Sequence, residues 1–284
     1  IRKEKSNKKI KIIDSLNNLI RGIESKKISQ TEFNNSEFVF AINIDEFSNK
    51  LFHKLNNNSV PLGDLCKDII NGIVTPKGKE RFISDKKENA MYKPFLEGKD
   101  IDSYLIRKKR TKYILFDRNQ LHRPRPDYVW KAPEKLIIRR IGGGLKTLYA
   151  AYDNNNYYTF ASTNNILIKD NSQMDIKYIL SLLNSKLINW FYIEKFTNRS
   201  NLTVNVIKVY LEKLPIKQIS SDQQKPFIEL VNQILLITKD DDYLDNRNKQ
   251  AKVKKLEKEI DQLVYKLYDL TKGEIKIVEE FNKK

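Results

Sequence analysis

A single cysteine, Cys66, and two histidines, His53 and His122, are all the thiol and imidazole chemistry this 284-residue sequence offers. One thiol cannot close an intramolecular disulfide, and no Cys/His spacing suited to zinc occurs. An intracellular, cytoplasmic setting is the expectation. No apolar run approaches the roughly 20 residues a spanning helix needs, no signal peptide opens the chain, and no membrane partner is expected. The first residue is Ile1 rather than Met, so the sequence reads as a fragment of a longer protein.

Catalytic motifs are also missing. An amino-methyltransferase carries a glycine-rich cofactor turn and an Asn-Pro-Pro-aromatic motif, and neither occurs. The glycine cluster Gly142-Gly143-Gly144 follows a strand pattern but lacks G-x-G-x-x-G spacing and opens no helix, which argues against a dinucleotide site. A metal-dependent nuclease needs two or three carboxylates and a lysine converging on a metal. Pro126-Asp127 followed by Glu134-Lys135 imitates that set, but no residue separates Glu from Lys, and a Pro-rich loop feeding a strand is the stronger reading. His122 has no Ser, Cys or Asp partner at a motif spacing and reads as a loop histidine. No catalytic residue, metal ligand or bound cofactor is expected in this fragment.

What is present is positive charge and core-forming side chains. Lys and Arg outnumber Asp and Glu by 53 to 36, a net charge of +17, and 40% hydrophobic with 10% aromatic residues excludes a disordered chain. A polyanion, nucleic acid first, is the partner to consider. Lysine is scattered, so a biased source composition would produce it too. Arginine discriminates better: of twelve, seven (Arg107, Arg110, Arg118, Arg123, Arg125, Arg139, Arg140) fall between positions 107 and 140.

Hydropathy patterning divides the chain into three parts. Residues 1–58 read as a helical connector, with Ile13, Leu16, Ile20 and Ile23 at helical spacing, an extended stretch Phe38 to Ile44, and a helix capped by Asp45 carrying Phe47, Leu51 and Leu55. Residues 59–219 are strand-rich: Leu136 to Arg140 is a β-branched run, Thr147–Tyr152 and Tyr157–Ala161 flank the turn 153–156 as a hairpin, and Asn165–Lys169 is a further strand. Asp175 then starts one long buried helix through Phe191. Residues 220–284 read as a helical spacer. Ser221 or Asp222 caps a helix through Ile237, and Val253, Leu256, Ile260, Leu263, Leu267 and Leu270 take helix–helix seam spacing up to Gly273, too few heptads for an extended coiled coil and so a long packed helix or helical hairpin. The fold class expected is α+β.

Candidate DNA contacts follow from chemistry. Arginine forks onto guanine O6 and N7, Asn or Gln pairs likewise with adenine, and backbone amides approach phosphates closely. The candidates are Arg107-Lys108-Lys109-Arg110 with Lys112, then Arg123 and Arg125, then Arg139-Arg140 with Gly142-Gly143-Gly144 and Lys146. Two polar loops add Thr163-Asn164-Asn165 and Asn198-Arg199 with Asn201. Each also reads as an ordinary turn or a solvated charge run.

Val60-Pro61-Leu62-Gly63-Asp64-Leu65-Cys66, with Ile70-Asn71-Gly72-Ile73 and Thr75-Pro76, resembles the opening of target-recognition domains in type I specificity subunits and their type IIG relatives. Phe95-Leu96-Glu97-Gly98-Lys99-Asp100-Ile101, Arg123-Pro124 through Trp130, Pro133-Glu134-Lys135-Leu136-Ile137 and Arg139 through Gly143 are similar to the TaqI-like C-terminal specificity domain. So are Leu180 through Trp190 and Leu211-Glu212-Lys213-Leu214-Pro215-Ile216, while Ile260 through Tyr268 resembles the C-terminus of such fused enzymes. The resemblance implies a strand-rich recognition unit with helices that position it against a methyltransferase domain of the same parent chain. It further implies double-stranded DNA as partner, N6-adenine methylation using S-adenosylmethionine, and Mg for any attached nuclease, in domains this fragment lacks. Against it stand a divergent nuclease or methyltransferase active by itself, and a basic helical assembly module.

Overall fold

Leu136, Ile137 and Ile138 form the middle of a strand, Lys135–Arg139, in which the first four positions are buried. A run apolar on both faces belongs at the centre of a sheet. The computed structural model describes residues 9–12, 26–29, 46–107, 112–143, 146–197 and 204–281, and it places this strand between Ala150–Asp153 and Thr163–Ile168. Cys66–Asn71 completes a four-stranded antiparallel sheet beyond Thr163–Ile168, in the register Asn165↔Ile70 and Ile137↔Asn165. A second four-stranded sheet is ordered Tyr158–Thr159, Tyr92–Leu96, Lys112–Leu115, Ile83–Ser84, its first pair parallel and the rest antiparallel. Ile73 and Leu167 from the first region join Phe82, Phe95 and Ile114 from the second in one apolar cluster, closed by Val129 and Trp130 of the short helix Asp127–Lys131.

The helix expected from Asp175 is two helices, Ile176–Asn184 and Lys186–Phe196. Ser185 ends the first and caps the second, accepting from the Ile188 amide, so a single apolar stretch hides a break. Both helices are buried almost throughout and use asparagine to satisfy the sheet edge. Asn184 Oδ1 accepts from Ala150 N at 3.0 Å and its Nδ2 donates to Ala150 O at 2.9 Å. Asn189 Oδ1 accepts from Thr147 N and Leu148 N at 2.8 and 3.1 Å.

The expected hairpin around 153–156 does not form. Ala150–Asp153 pairs with Lys135–Arg139, whereas Tyr158–Thr159 pairs with Tyr92–Leu96 in the other sheet. Asp153 redirects the chain: its oxygens accept the Asn155 and Tyr157 amides at 2.8 and 3.0 Å, and a fully buried ion pair ties it to Lys135 at 2.6 Å. Glu134 meanwhile accepts the Tyr152 hydroxyl at 2.6 Å, so the Glu134-Lys135 pair serves packing.

Ser59–Pro61 pairs antiparallel with Pro215–Lys217, bringing the two ends of the strand-rich section together. Beyond it, Ser220 and Gln223 form a capping box for the helix Ser221–Thr238, and Asn246 caps Arg247–Leu267. The face buried in the latter is Val253, Leu256, Ile260 and Val264, so the seam spacing belongs to a long packed helix. Tyr268 anchors it to the closing strand by donating to Pro215 O at 2.7 Å. Gly273 does not end this run: the chain turns at Asp269, whose φ is +56°, and Gly273 lies inside a further helix, Lys272–Phe281.

By contacts the chain forms two units, Ile1–Lys50 and Leu51–Lys284. In the first, Lys9–Ile12 and Lys26–Ser29 pair antiparallel, and the helix Glu46–Asn56 begins. The helical pattern over 13–23, the extended stretch Phe38 to Ile44 and the Asp45 cap lie outside the described residues.

Candidate nucleic-acid interface

The strand Cys66–Asn71 runs out at Gly72, where the chain crosses the 159–162 segment so closely that a Cβ would sit 2.2 Å from Phe160 O. Only glycine permits that crossing. The Gly72 carbonyl accepts from Arg125 Nε at 3.0 Å, and Arg125 itself takes a left-handed φ of +66°. Val74 and Arg123 exchange backbone bonds of 3.1 and 3.0 Å, pinning the arginine loop against the crossing. From the other side Arg140 donates through its amide to Ser162 O at 2.9 Å and through Nη1 to Ala161 O at 3.2 Å. Three of the clustered arginines, Arg123, Arg125 and Arg140, thus converge on one backbone knot.

Their charge is uncompensated. The Arg125 guanidinium is held below its ordinary value by burial and then by the positive charges of Arg123 and Arg140, with Asp68 opposing. Arginine nevertheless stays charged, so the outcome is a concentrated positive field. Among the described residues none of the three has an ion-pair partner. The nearby carboxylate, Asp68, is already engaged, accepting from Tyr128 Oη at 2.7 Å and Lys208 Nζ at 3.0 Å. Burial raises its pKa, but those two hydrogen bonds and the lysine charge bring it below the usual carboxylate range. The same bond pushes the Tyr128 hydroxyl up to about 12, while Lys67 lies over the Tyr128 ring.

The other candidates part company with this cluster. Arg107 pairs with Asp102 at 2.8 Å and Lys112 with Asp85 at 3.7 Å. Arg139 and Lys146 both stand 5.5 Å over the Tyr149 ring, and Lys146 acts on Glu257 of the C-terminal helices. Adjacent arginines 139 and 140 therefore serve different surroundings. Gly142 is a strand residue packed against Thr147, where a Cβ would meet the carbonyl oxygen at 2.7 Å, and Gly143 bridges to Lys146.

Thr163, Asn164 and Asn165 are corrected outright, because all three are fully buried. Thr163 donates to Phe160 O at 2.9 Å, Asn164 to Val206 O at 2.9 Å, and Asn165 to Ile70 O at 3.3 Å and Thr159 Oγ1 at 2.9 Å. A side chain committed inside the sheet cannot reach a base. Lys108, Lys109, Arg110, Gly144, Asn198, Arg199 and Asn201 lie outside the described residues. Sequence reasoning missed Gly72, Tyr128 and Lys208 as parts of the site; Gly72 and Tyr128 stood in quoted motifs, whereas Lys208 carried no signal.

Cys66 is buried with its thiol pushed up to about 12 by burial first, so it is a packing residue. Among the described residues no group of three or more His, Cys, Asp and Glu side chains could hold a metal ion, and no helix is long and apolar enough to cross a membrane.

Residues 93–216 match the family described as the TaqI-like C-terminal specificity domain. The chain carries a TaqI-like specificity domain. Arg123, Arg125, Arg140 and Lys208 lie within the matched residues, and Asp68 and Gly72 lie before them. A protein of Methanocaldococcus jannaschii, provisionally described as a type II restriction enzyme and methyltransferase, is 30% identical over 207 residues, 73% of this chain. The chain spans 17% of that relative's length. The solved structure of the type IIL restriction-modification enzyme MmeI in complex with DNA shares the fold, with a TM-score of 0.54 at 12% identity, covering 79% of this chain and 36% of that one. The HsdS subunit from Thermoanaerobacter tengcongensis aligns over 77% of this chain and 50% of its own, at 14% identity and a TM-score of 0.41.

Proposed function

We propose that this chain reads a duplex DNA sequence for a restriction-modification enzyme of the type IIG or type I-like kind. The observation that carries the reading is the convergence of Arg123, Arg125 and Arg140, without ion-pair partners among the described residues, on a TaqI-like specificity domain. Arg125 and Arg140 are each oriented by a backbone carbonyl, which fixes where the rest of each guanidinium fork points. Forks held this way suit guanine edges, and Lys67 and Lys208 beside them suit phosphates. Residues 59–219 act as the recognition domain, 220–284 as the helical spacer and 1–58 as a connector, which together position it against a methyltransferase domain of a longer chain in the cytoplasm. Methylation of adenine at N6 would draw on S-adenosylmethionine, and any cleavage on Mg, in domains beyond this fragment. Arg139 and Lys146 belong to the spacer side of the domain in this reading. Lys108, Lys109, Arg110, Asn198, Arg199 and Asn201 stand as candidates on sequence alone.

The test is a titration of labelled duplex at salt concentrations between about 50 and 200 mM. Affinity is expected to fall steeply with salt, and Lys67→Ala with Lys208→Ala to flatten the slope by about one per lost phosphate contact. Salt-insensitive binding, or turnover of labelled S-adenosylmethionine by this chain alone, would overturn the assignment.

A further inference from the structure

Beside the arginine cluster a two-residue ladder presents a second pair of side chains. Ile141 lies directly opposite Asn205 in an antiparallel pairing, with Gly142 opposite Val204. Opposed residues of such a pair share one face, with Cβ atoms about 4.5–5.5 Å apart. Ile141 is 50% exposed, among the most exposed large apolar side chains described, and Asn205 is exposed as well. The Asn205 carbonyl accepts from Tyr192 Oη at 2.9 Å, but its side-chain amide has no bonding partner among the described residues.

The platform beneath is rigid. Val206 N donates to Arg140 O at 2.7 Å on one flank of Ile141, and the absence of a Cβ at Gly142 lets the other flank press on Thr147. Asn164, fully buried, donates to Val206 O and so holds the ladder from below. A lone exposed isoleucine is unremarkable. One held rigidly across from an unbonded amide, next to Arg140, has the donor, acceptor and apolar groups of one base-pair edge. In the major groove adenine offers N7 as acceptor and N6 as donor, matching an Asn amide, and thymine offers its C5-methyl, matching an aliphatic side chain.

We infer that Ile141 and Asn205 together read one adenine·thymine pair, Asn205 bonding the adenine edge and Ile141 packing on the thymine methyl. This deepens the duplex-recognition reading above and rests on it. Arg140, one residue away, would read the neighbouring pair.

The test begins with selection of the preferred site of this chain from a random duplex library, followed by base analogues at each A·T position. At one pair, deoxyuridine in place of thymidine is expected to weaken parent binding about fivefold, and 7-deazaadenine opposite it about five- to 150-fold. Ile141→Ala should be indifferent to the uracil substitution, Asn205→Ala indifferent to the deaza substitution, and both should lose preference at that same pair. Both side chains are exposed, so the variants should melt with the parent. Unchanged base preferences in both folded variants overturn the pair assignment and leave the duplex reading standing. A parent chain that selects no sequence overturns both.

Discussion

Arg125 and Arg140 are the residues whose side chains are held by backbone carbonyls at the Gly72 crossing. Each has one N–H spent on a backbone carbonyl and the remainder turned to a site with no carboxylate partner. Replacing either by alanine is expected to weaken specific binding by about 1–3 kcal/mol where it reads a guanine, measured by titration against the selected site. Arg139→Ala, packed over Tyr149, should change binding far less. Equal losses at 139 and 140 would contradict the split. The split itself was not legible in the sequence: Arg139 and Arg140 are neighbours in a charge cluster, and only the strand end at Arg139 and the bend after it separate their surroundings. The Thr163-Asn164-Asn165 triplet fails for a related reason. Three polar residues in a row look like a loop until the register shows them as the buried centre of a sheet. Asn165→Ala is therefore expected to lower stability by about 1–3 kcal/mol in a denaturant melt, as befits a buried amide stripped of its bonds. An unchanged melt with lost DNA binding would restore it to the interface.

Elements were legible where a period or a cap dictated them. The Lys135–Arg139 strand follows from consecutive apolar β-formers, and the helix from Asp175 follows from a side chain that accepts the Lys177 amide at 2.7 Å. The false hairpin at 153–156 was not, because the turn is governed by the Lys135–Asp153 ion pair, which couples residues 18 positions apart and leaves no local mark. Burial lowers the Lys135 pKa while the Asp153 charge opposes it. Lys135→Met would leave Asp153 charged and buried, and a loss of about 3–5 kcal/mol in thermal or denaturant unfolding is expected. A loss below about 1 kcal/mol, the size of a surface pair, would mean the two side chains are solvated. In the helix Arg247–Leu267, burial of Asp261 pushes its carboxyl up to about 6 from an ordinary 3.8, with Lys186 opposing and Glu279 and Glu257 reinforcing. The folded state then holds a proton that the unfolded state has lost, so stability falls as pH rises from about 4 to about 6 and is level above. Melts across that window should show the decline, and Asp261→Asn should flatten it while keeping an acceptor for the Lys186 amide.

At the scale of the molecule, composition announced a polyanion but could not place it, since a net charge of +17 spreads over lysines in every segment. The fold sorts that charge. Some of the described basic side chains are paired with carboxylates, as Arg107, Arg118, Lys186 and Lys249 are, whereas Arg123, Arg125 and Arg140 converge on the Gly72 crossing without such a partner among the described residues. Selection of bound duplexes from a random library by this chain measures whether it recognises a base sequence. The expected result is an enriched, defined sequence whose enrichment collapses in a combined Arg125→Ala, Arg140→Ala variant that still melts cooperatively. Bound duplexes that remain as random as the input, from a folded parent chain, would contradict it.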